Sequence, residues 1–256
     1  METVDYLKLS EQYASFLVAV GGVSITVLTL VLSLGSDSVI PTEVNLRSFL
    51  VAALIVATVT CFIGAHMMAE TASFIEFHKN VLPPASSGDR LFLLASTNIF
   101  IAIILVLFAL MLLPTSSGRV HATSLAPISV GVFLLIICGA LYWMILAANY
   151  RMPVPQSGWA IWLPVITVSV LGVILYFLPI SKKCLLWIAF APSALSTVIS
   201  LVWFAWIFKE GDIVRLHKAR IQDIWFFSVA ITLSYAPLVV AGIQTMLGKQ
   251  FADGES

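Results

Sequence analysis

Long runs of uncharged, apolar residues recur along this chain and constrain its fold more than any other feature. A helix needs about 20 apolar residues to cross the hydrocarbon core of a bilayer, because each residue rises about 1.5 Å. Seven stretches of the sequence meet this requirement, and turn-forming residues separate them. The predicted spans are residues 13–34, 48–69, 91–113, 128–148, 159–178, 184–208 and 224–247.

The composition agrees with a chain that lies in lipid. Of the 256 residues, 60% are hydrophobic and 10% are charged, whereas a soluble protein carries about 25% charged residues. The sequence therefore predicts an all-α, polytopic integral membrane protein, a bundle of about seven transmembrane helices. Since no loop is long enough to hold a soluble domain, residues 1–256 form a single transmembrane domain.

Charge placement indicates an orientation. The N-terminus and the even-numbered loops carry eight Lys and Arg residues, and the opposite side carries five. This bias favours a cytoplasmic N-terminus and a C-terminus outside. Five tryptophans fall near the same side as the N-terminus and indicate an aromatic belt, with an aromatic-lined vestibule as the alternative: Trp159, Trp162, Trp203, Trp206 and Trp225.

The predicted partners follow from charge and hydropathy. Residues 212–223 form a basic amphipathic segment, in which Arg215, Lys218 and Arg220 are placed to contact anionic headgroups of the bilayer. A loop that docks a partner protein is the alternative for this segment. With 13 basic and 13 acidic residues the net charge is zero, which argues against nucleic acid as a partner. A homo-oligomer or a membrane partner remains open.

One group of polar residues lies near the end of the second apolar run. His66 and Glu70 are four residues apart and share a helix face. The third run begins on the same side of the membrane, with Thr97 and Asn98 about two turns in. Such a cluster would serve a metal, a proton or a substrate, and the alternative is an interfacial His–Glu pair. A metal site needs further ligands that the sequence does not place nearby, so no metal or cofactor is predicted.

The sixth and seventh runs each contain a proline beside hydroxyl residues. A proline in a helix removes one backbone hydrogen bond, and the freed carbonyl together with neighbouring hydroxyls can line a polar path. The alternative is packing, because small and hydroxyl residues commonly fill the contacts between membrane helices. The first run shows the same pattern at Gly22, Thr26, Thr29 and Ser33. The candidate path-lining residues are Pro192, Ser193, Ser196, Thr197, Ser200, Thr232, Ser234, Tyr235 and Pro237.

Motifs of enzymes and channels are missing from the sequence. There is no HExxH, no GxSxG, no phosphate loop, no filter like TVGYG and no helix with repeated arginines. No catalytic residue is therefore predicted. The two helices with proline and hydroxyl residues favour a pore or permease for a neutral or weakly charged solute. The alternatives are a non-catalytic membrane subunit or scaffold of a larger complex, and a membrane enzyme or metal-handling protein that uses His66 and Glu70.

Overall fold

Helices account for nearly all of the structure. The computed structural model describes residues 5–33, 43–78, 80, 89–116, 182–209 and 221–246, together with positions 170, 174 and 177. No strand occurs in these ranges, so the all-helical class is confirmed. The five long helices are α1 (Tyr6–Ser33), α2 (Glu43–Phe77), α3 (Asp89–Ser116), α4 (Lys182–Lys209) and α5 (Ile221–Met246).

Four of these helices are long and apolar enough to cross a membrane. Within the described ranges the crossing segments are Tyr6–Ser33, Arg47–Phe77, Arg90–Leu110 and Trp187–Lys209. They correspond to the first, second, third and sixth predicted spans, and α5 coincides with the seventh. The predicted spans 128–148 and 159–178 lie outside the described residues, apart from positions 170, 174 and 177. The count of seven therefore stays a prediction.

The helices extend past the apolar runs that predicted them. The second span was predicted to end at residue 69, whereas α2 has 35 residues and ends at Phe77. At 1.5 Å per residue this helix is about 52 Å long, which exceeds the hydrocarbon core of about 30 Å. Hydropathy marks where a helix leaves lipid, and the helix itself continues while backbone hydrogen bonds and good helix formers sustain it.

Contacts between side chains fix the direction of each helix. Tyr6 at the start of α1 packs on Phe92 at the start of α3, and Arg47 at the start of α2 donates to the carbonyl of Val31 at the end of α1. We call the end of the bundle where α1 begins the proximal end, and the other the distal end. Helices α1 and α3 thus run from proximal to distal, and α2 runs back.

The later helices join the bundle in the same way. Phe74 and Phe208, near the ends of α2 and α4, pack edge to face, so α4 runs parallel to α2. Arg90 and Asp223, in the first turns of α3 and α5, form an ion pair, so α5 runs parallel to α3. Helix α3 therefore ends at the distal end and α4 begins there.

Helix α3 lies at the centre of the described bundle. In its most apolar stretch 78% of the residues are buried, against 22% for α1. Glycines allow close approach between neighbouring helices. A methyl group on Gly64 of α2 would lie 3.0 Å from Cβ of Asn98 on α3 and 3.0 Å from Leu17 on α1. Helices α2 and α3 therefore cross near Gly64 with backbones in close contact, and the side chain of Leu17 on α1 packs against the same point.

The apolar core has a distal and a proximal part. In α4 the distal part contains Ala189 and Phe190, and the proximal part contains Phe204 and Ile207. In α2 the distal part ends at Ala57 and the proximal part begins at Cys61. The polar residues of α4, and Thr60 of α2, lie between the two parts. Hydrogen bonds between hydroxyl and amide side chains of different helices thus lie near the middle of the bundle.

Candidate functional site

A layer of buried polar side chains joins α2, α3 and α4. It consists of Thr60, Asn98, Thr197 and Ser200, each no more than 2% exposed, and we call it the polar layer. The hydroxyls of Thr60 and Thr197 lie 3.1 Å apart and form a hydrogen bond between α2 and α4. Because lipid offers no hydrogen-bond partner, such contacts hold membrane helices in a defined register.

Asn98 is the centre of the polar layer. Its Nδ2 donates to Oγ of Ser200 at 3.0 Å and approaches Sδ of Met67 at 3.1 Å. Oγ of Ser200 also lies 3.1 Å from Oδ1 of Asn98 and 2.8 Å from the carbonyl of Thr197, and its single proton can be given to either oxygen. One side chain of α3 therefore contacts both α2 and α4.

The hydroxyls beside the two prolines are buried, and most are hydrogen-bonded within their own helix. Thr197 donates to the carbonyl of Ser193 at 3.0 Å, and Ser234 donates to the carbonyl of Ala230 at 2.6 Å. Oγ of Ser193 differs, because it is buried and has no hydrogen-bond partner. Pro192 and Pro237 both lie inside helices, as predicted.

The remaining path-lining candidates are also placed against neighbours where the structure describes them. Ser196 is 7% exposed, and Tyr235 is 5% exposed within the distal part of the core. The side chain of Thr232 lies outside the described residues. The arrangement gives α4 and α5 inward-facing hydroxyls whose donors are largely satisfied, as expected for helix packing.

The four residues of the predicted polar cluster face different surroundings. His66 and Glu70 are exposed on α2, and neither makes a hydrogen bond or ion pair with another described residue. Thr97 and Asn98 are completely buried on α3, where Thr97 donates to the carbonyl of Leu93 at 3.3 Å. The structure therefore brings Asn98 together with Ser200, and places His66 and Glu70 on the outer surface of α2.

Metal-ligating residues are dispersed through the described part of the chain. No group of three His, Cys, Asp or Glu residues within it is arranged to hold a metal ion. Cys61 is buried and Cys184 is exposed, and neither forms a disulfide. The basic residues Arg215, Lys218 and Arg220, predicted to contact headgroups, lie outside the described residues.

A buried ion pair at the proximal end was missed by sequence reasoning. Nε of Arg90 donates to Oδ2 of Asp223 at 2.7 Å, and the two side chains are 1% and 0% exposed. Both terminal nitrogens of the Arg90 guanidinium are buried and have no hydrogen-bond partner. In the sequence Arg90 counts only among the basic residues of the loops, and Asp223 is the last residue of the amphipathic segment 212–223. The available signal was that both are predicted at the same membrane face.

The outward side of α1 carries a second feature of note. Ser15, Ala19, Gly22, Thr26, Thr29 and Ser33 form a stripe of small, exposed residues along one face. The spacing alternates between four and three residues, which is the heptad pattern of helix pairs. A methyl group on Gly22 would meet no atom within 4 Å. We call this stripe the outer groove.

Large apolar side chains form both walls of the outer groove. The walls also repeat every seven residues, and their side chains are 42–58% exposed: Phe16, Val23 and Leu30 on one wall, and Val18, Ile25 and Leu32 on the other. The hydroxyls of Thr26 and Thr29 donate to the carbonyls of Gly22 and Ile25, both at 2.9 Å. The groove is therefore uncharged, and these donors need no partner from outside.

The chain matches no known protein family, no curated protein and no solved structure. Four apolar helices are compatible with a membrane protein, and they do not specify an activity.

Proposed function

We propose that this protein is a non-catalytic membrane subunit that assembles through the outer groove of α1 with a second copy of itself. The observation that carries the proposal is the heptad repeat of small residues between two apolar walls on an exposed helix face. Lipid chains are as apolar as leucine, so burial of apolar surface gives membrane helices little reason to associate. Close backbone approach along small residues supplies van der Waals contact instead.

The groove suits the same helix of another copy. Two copies inserted in the same orientation present parallel α1 helices, so equal levels of the two grooves meet. A two-fold interface uses the same patch on both partners, and the wall of one groove then covers the floor of the other. The seven-residue period favours a left-handed crossing, which keeps the stripe in contact over its length. The groove carries no charge from Ser15 to Ser33, so no like charges oppose each other.

Disulfide cross-linking in membranes tests this assembly. In a variant with Cys61, Cys138 and Cys184 replaced, Gly22→Cys should form a linked dimer on mild oxidation. The matched control is Ser24→Cys in the same background, because Ser24 is buried on the opposite face of α1 and should stay monomeric. A monomer from Gly22→Cys would contradict self-assembly. If the thiol introduced by Gly22→Cys also resists a membrane-permeant maleimide, another part of the chain covers the groove.

A larger side chain in the outer groove gives a second test of the dimer interface. Gly22→Leu should lower the association constant of the dimer by about tenfold, and the dimer fraction with it, since filling a tight helix contact costs about 1–3 kcal/mol. Val198→Leu is the control, because Val198 is 53% exposed on α4 and lies away from the groove. Single-molecule photobleaching in vesicles measures the fraction. Equal dimer fractions for the two variants would count against the groove as the interface.

A pore or permease for a neutral or weakly charged solute is the second candidate. It is favoured by Oγ of Ser193, a buried hydroxyl without a partner one residue after Pro192. Single cysteines at Ser193, Ser196 and Ser200 test it through reaction with water-soluble thiol reagents. Reaction at all three positions would support a path along α4. Uniform protection would support packing, as the hydrogen bonds of Thr197 and Ser200 favour.

A further inference from the structure

The guanidinium of Arg90 uses only part of its hydrogen-bonding capacity in its ion pair. Arginine has five N–H donors, and Nε alone contacts Asp223. The four N–H groups on Nη1 and Nη2 are buried without a partner. A buried polar group without a hydrogen bond is costly, and a charged one more so. The structure therefore contains a fork of donors that makes no hydrogen bond to Asp223 and requires an acceptor.

The position of Arg90 indicates the charge of that acceptor. Arg90 lies in the first turn of α3, and Asp223 lies in the first turn of α5. Helix N-termini carry a partial positive charge of about half an elementary charge each, which favours anions. Asp223 balances the guanidinium, and Asp89, the first residue of α3, offsets the partial charges of the two helix ends. The preference for an anionic acceptor therefore comes from the guanidinium itself, because a hydrogen bond between two charged groups is about twice as strong as one between neutral groups.

The depth of Arg90 indicates where the acceptor comes from. The apolar run that follows Arg90, residues 91–113, has 23 residues and is about 34 Å long, close to the thickness of the hydrocarbon core. Arg90 at its proximal end is thus at the level of the phospholipid headgroups. A second donor without an acceptor lies nearby on α4: Nε1 of Trp203 is buried and has no partner, and its ring packs on Phe226, three residues after Asp223.

We propose that the Nη1 and Nη2 fork of Arg90 binds a phosphate oxyanion. The planar fork matches two oxygens of a phosphate group, and an ammonium group cannot reproduce that geometry. A phospholipid headgroup and free phosphate present the same chemistry, and the experiment below separates them. The site does not involve the outer groove, so a failure of the proposed assembly would not contradict the phosphate site, and a failure of the site would not contradict the assembly.

The test uses purified full-length protein in a maltoside detergent and a buffer free of phosphate. Phosphatidylglycerol, a diacylglycerol with the same chains and inorganic phosphate are titrated separately while Tm is followed. Phosphatidylglycerol should raise Tm and diacylglycerol should not. Inorganic phosphate that reproduces the shift at equal concentration would assign the site to the free ion. Lack of any phosphate-dependent shift would overturn the proposal, because water then satisfies the fork.

Variants of Arg90 and Arg47 test whether the fork causes the shift in Tm. Arg90→Lys keeps a cation beside Asp223 and removes the fork, so half-saturation should require about tenfold more phosphatidylglycerol. Arg47→Lys is the matched control at the distal end of the bundle and should titrate like the wild type. Identical titrations of Arg90→Lys and wild type would overturn the proposal.

Native mass spectrometry of the wild type covers the case in which Arg90→Lys does not fold. One phospholipid should stay bound after delipidation in the maltoside detergent. A protein that carries no phospholipid and shows no shift with inorganic phosphate would contradict the site.

Discussion

Asn98 and Ser200 are 102 residues apart in the chain, and their side chains form a completely buried hydrogen-bonded pair between α3 and α4. The same amide nitrogen of Asn98 approaches Sδ of Met67 on α2. An asparagine in an apolar bundle has few sites at which its amide is satisfied, so the pair fixes both the rotation and the depth of α3 against its neighbours. The polar layer therefore specifies the register of helices whose other surfaces are almost uniformly apolar.

Replacement of Asn98 should loosen the bundle measurably. Asn98→Leu removes the bond to Ser200, and we expect a loss of unfolding free energy of about 1–2 kcal/mol, since hydrogen bonds between membrane helices contribute about 0.6 and up to about 1.7 kcal/mol. Steric-trapping measurements in bicelles give this quantity. Thr26→Val is the control, because Thr26 bonds only to its own helix and is exposed. An equal loss in both variants would contradict a special role for Asn98.

Two glycines make a matched pair for testing close packing. Gly64→Ala should destabilise the fold by about 1–3 kcal/mol, because the added methyl would lie 3.0 Å from Cβ of Asn98 and 3.0 Å from Leu17. Gly22→Ala should leave the stability of the isolated monomer unchanged or slightly raised, since its methyl meets open space and alanine is the better helix former. Thermal unfolding in a detergent that keeps the protein monomeric compares the two. The reverse order of stability would mean that the crossing at Gly64 is not close.

Hydropathy predicted the helices well because crossing a bilayer requires a long apolar run, whatever the neighbours are. The inward position of Ser193, Thr197 and Ser200 also followed from the pattern, since lipid disfavours polar groups on the outer face. The contact partners of these residues could not be predicted from the hydropathy pattern. Asn98 was grouped with His66 because the two stand near the same membrane face, whereas the rotation of α2 turns His66 outward and Met67 inward.

The faces of α1 show why rotation is hard to predict in such a chain. Gly21 and Ser24 are buried against α2, and Gly22 and Thr26 lie on the exposed side. Small residues thus occur on both faces, and apolar residues occur all round, so the sequence does not distinguish an inner from an outer side. The Arg90–Asp223 pair is a further case, because an interfacial charge is buried only when a neighbouring helix covers it.

Removing one member of the Arg90–Asp223 pair should be more harmful than removing both. Asp223→Leu leaves a buried guanidinium without its carboxylate, and we expect a loss of about 3–5 kcal/mol. The double variant Arg90→Met with Asp223→Leu should recover most of that loss, since two apolar side chains need no partner. A double-mutant cycle on unfolding free energies measures the coupling. Additive effects of the two single changes would show that the pair does not act as a unit.

The chain between α3 and α4 should cross the membrane twice. Contacts at both ends of the bundle place the end of α3 and the start of α4 at the distal end, because Phe108 near the end of α3 packs on Phe190 near the start of α4. The predicted spans 128–148 and 159–178 would carry the chain across the membrane and back to that end. Single cysteines at Ser117 and Ser181 should therefore react with an impermeant maleimide from one side, and a cysteine at Ser157 should react from the other.

Labelling of all three from the same side would leave no crossing between α3 and α4 and reduce the bundle to five spans. Labelling of Ser117 and Ser181 from opposite sides would contradict the directions assigned to α3 and α4. Single cysteines at Lys8 and Lys209, both at the proximal end, identify the side of the membrane on which that end lies.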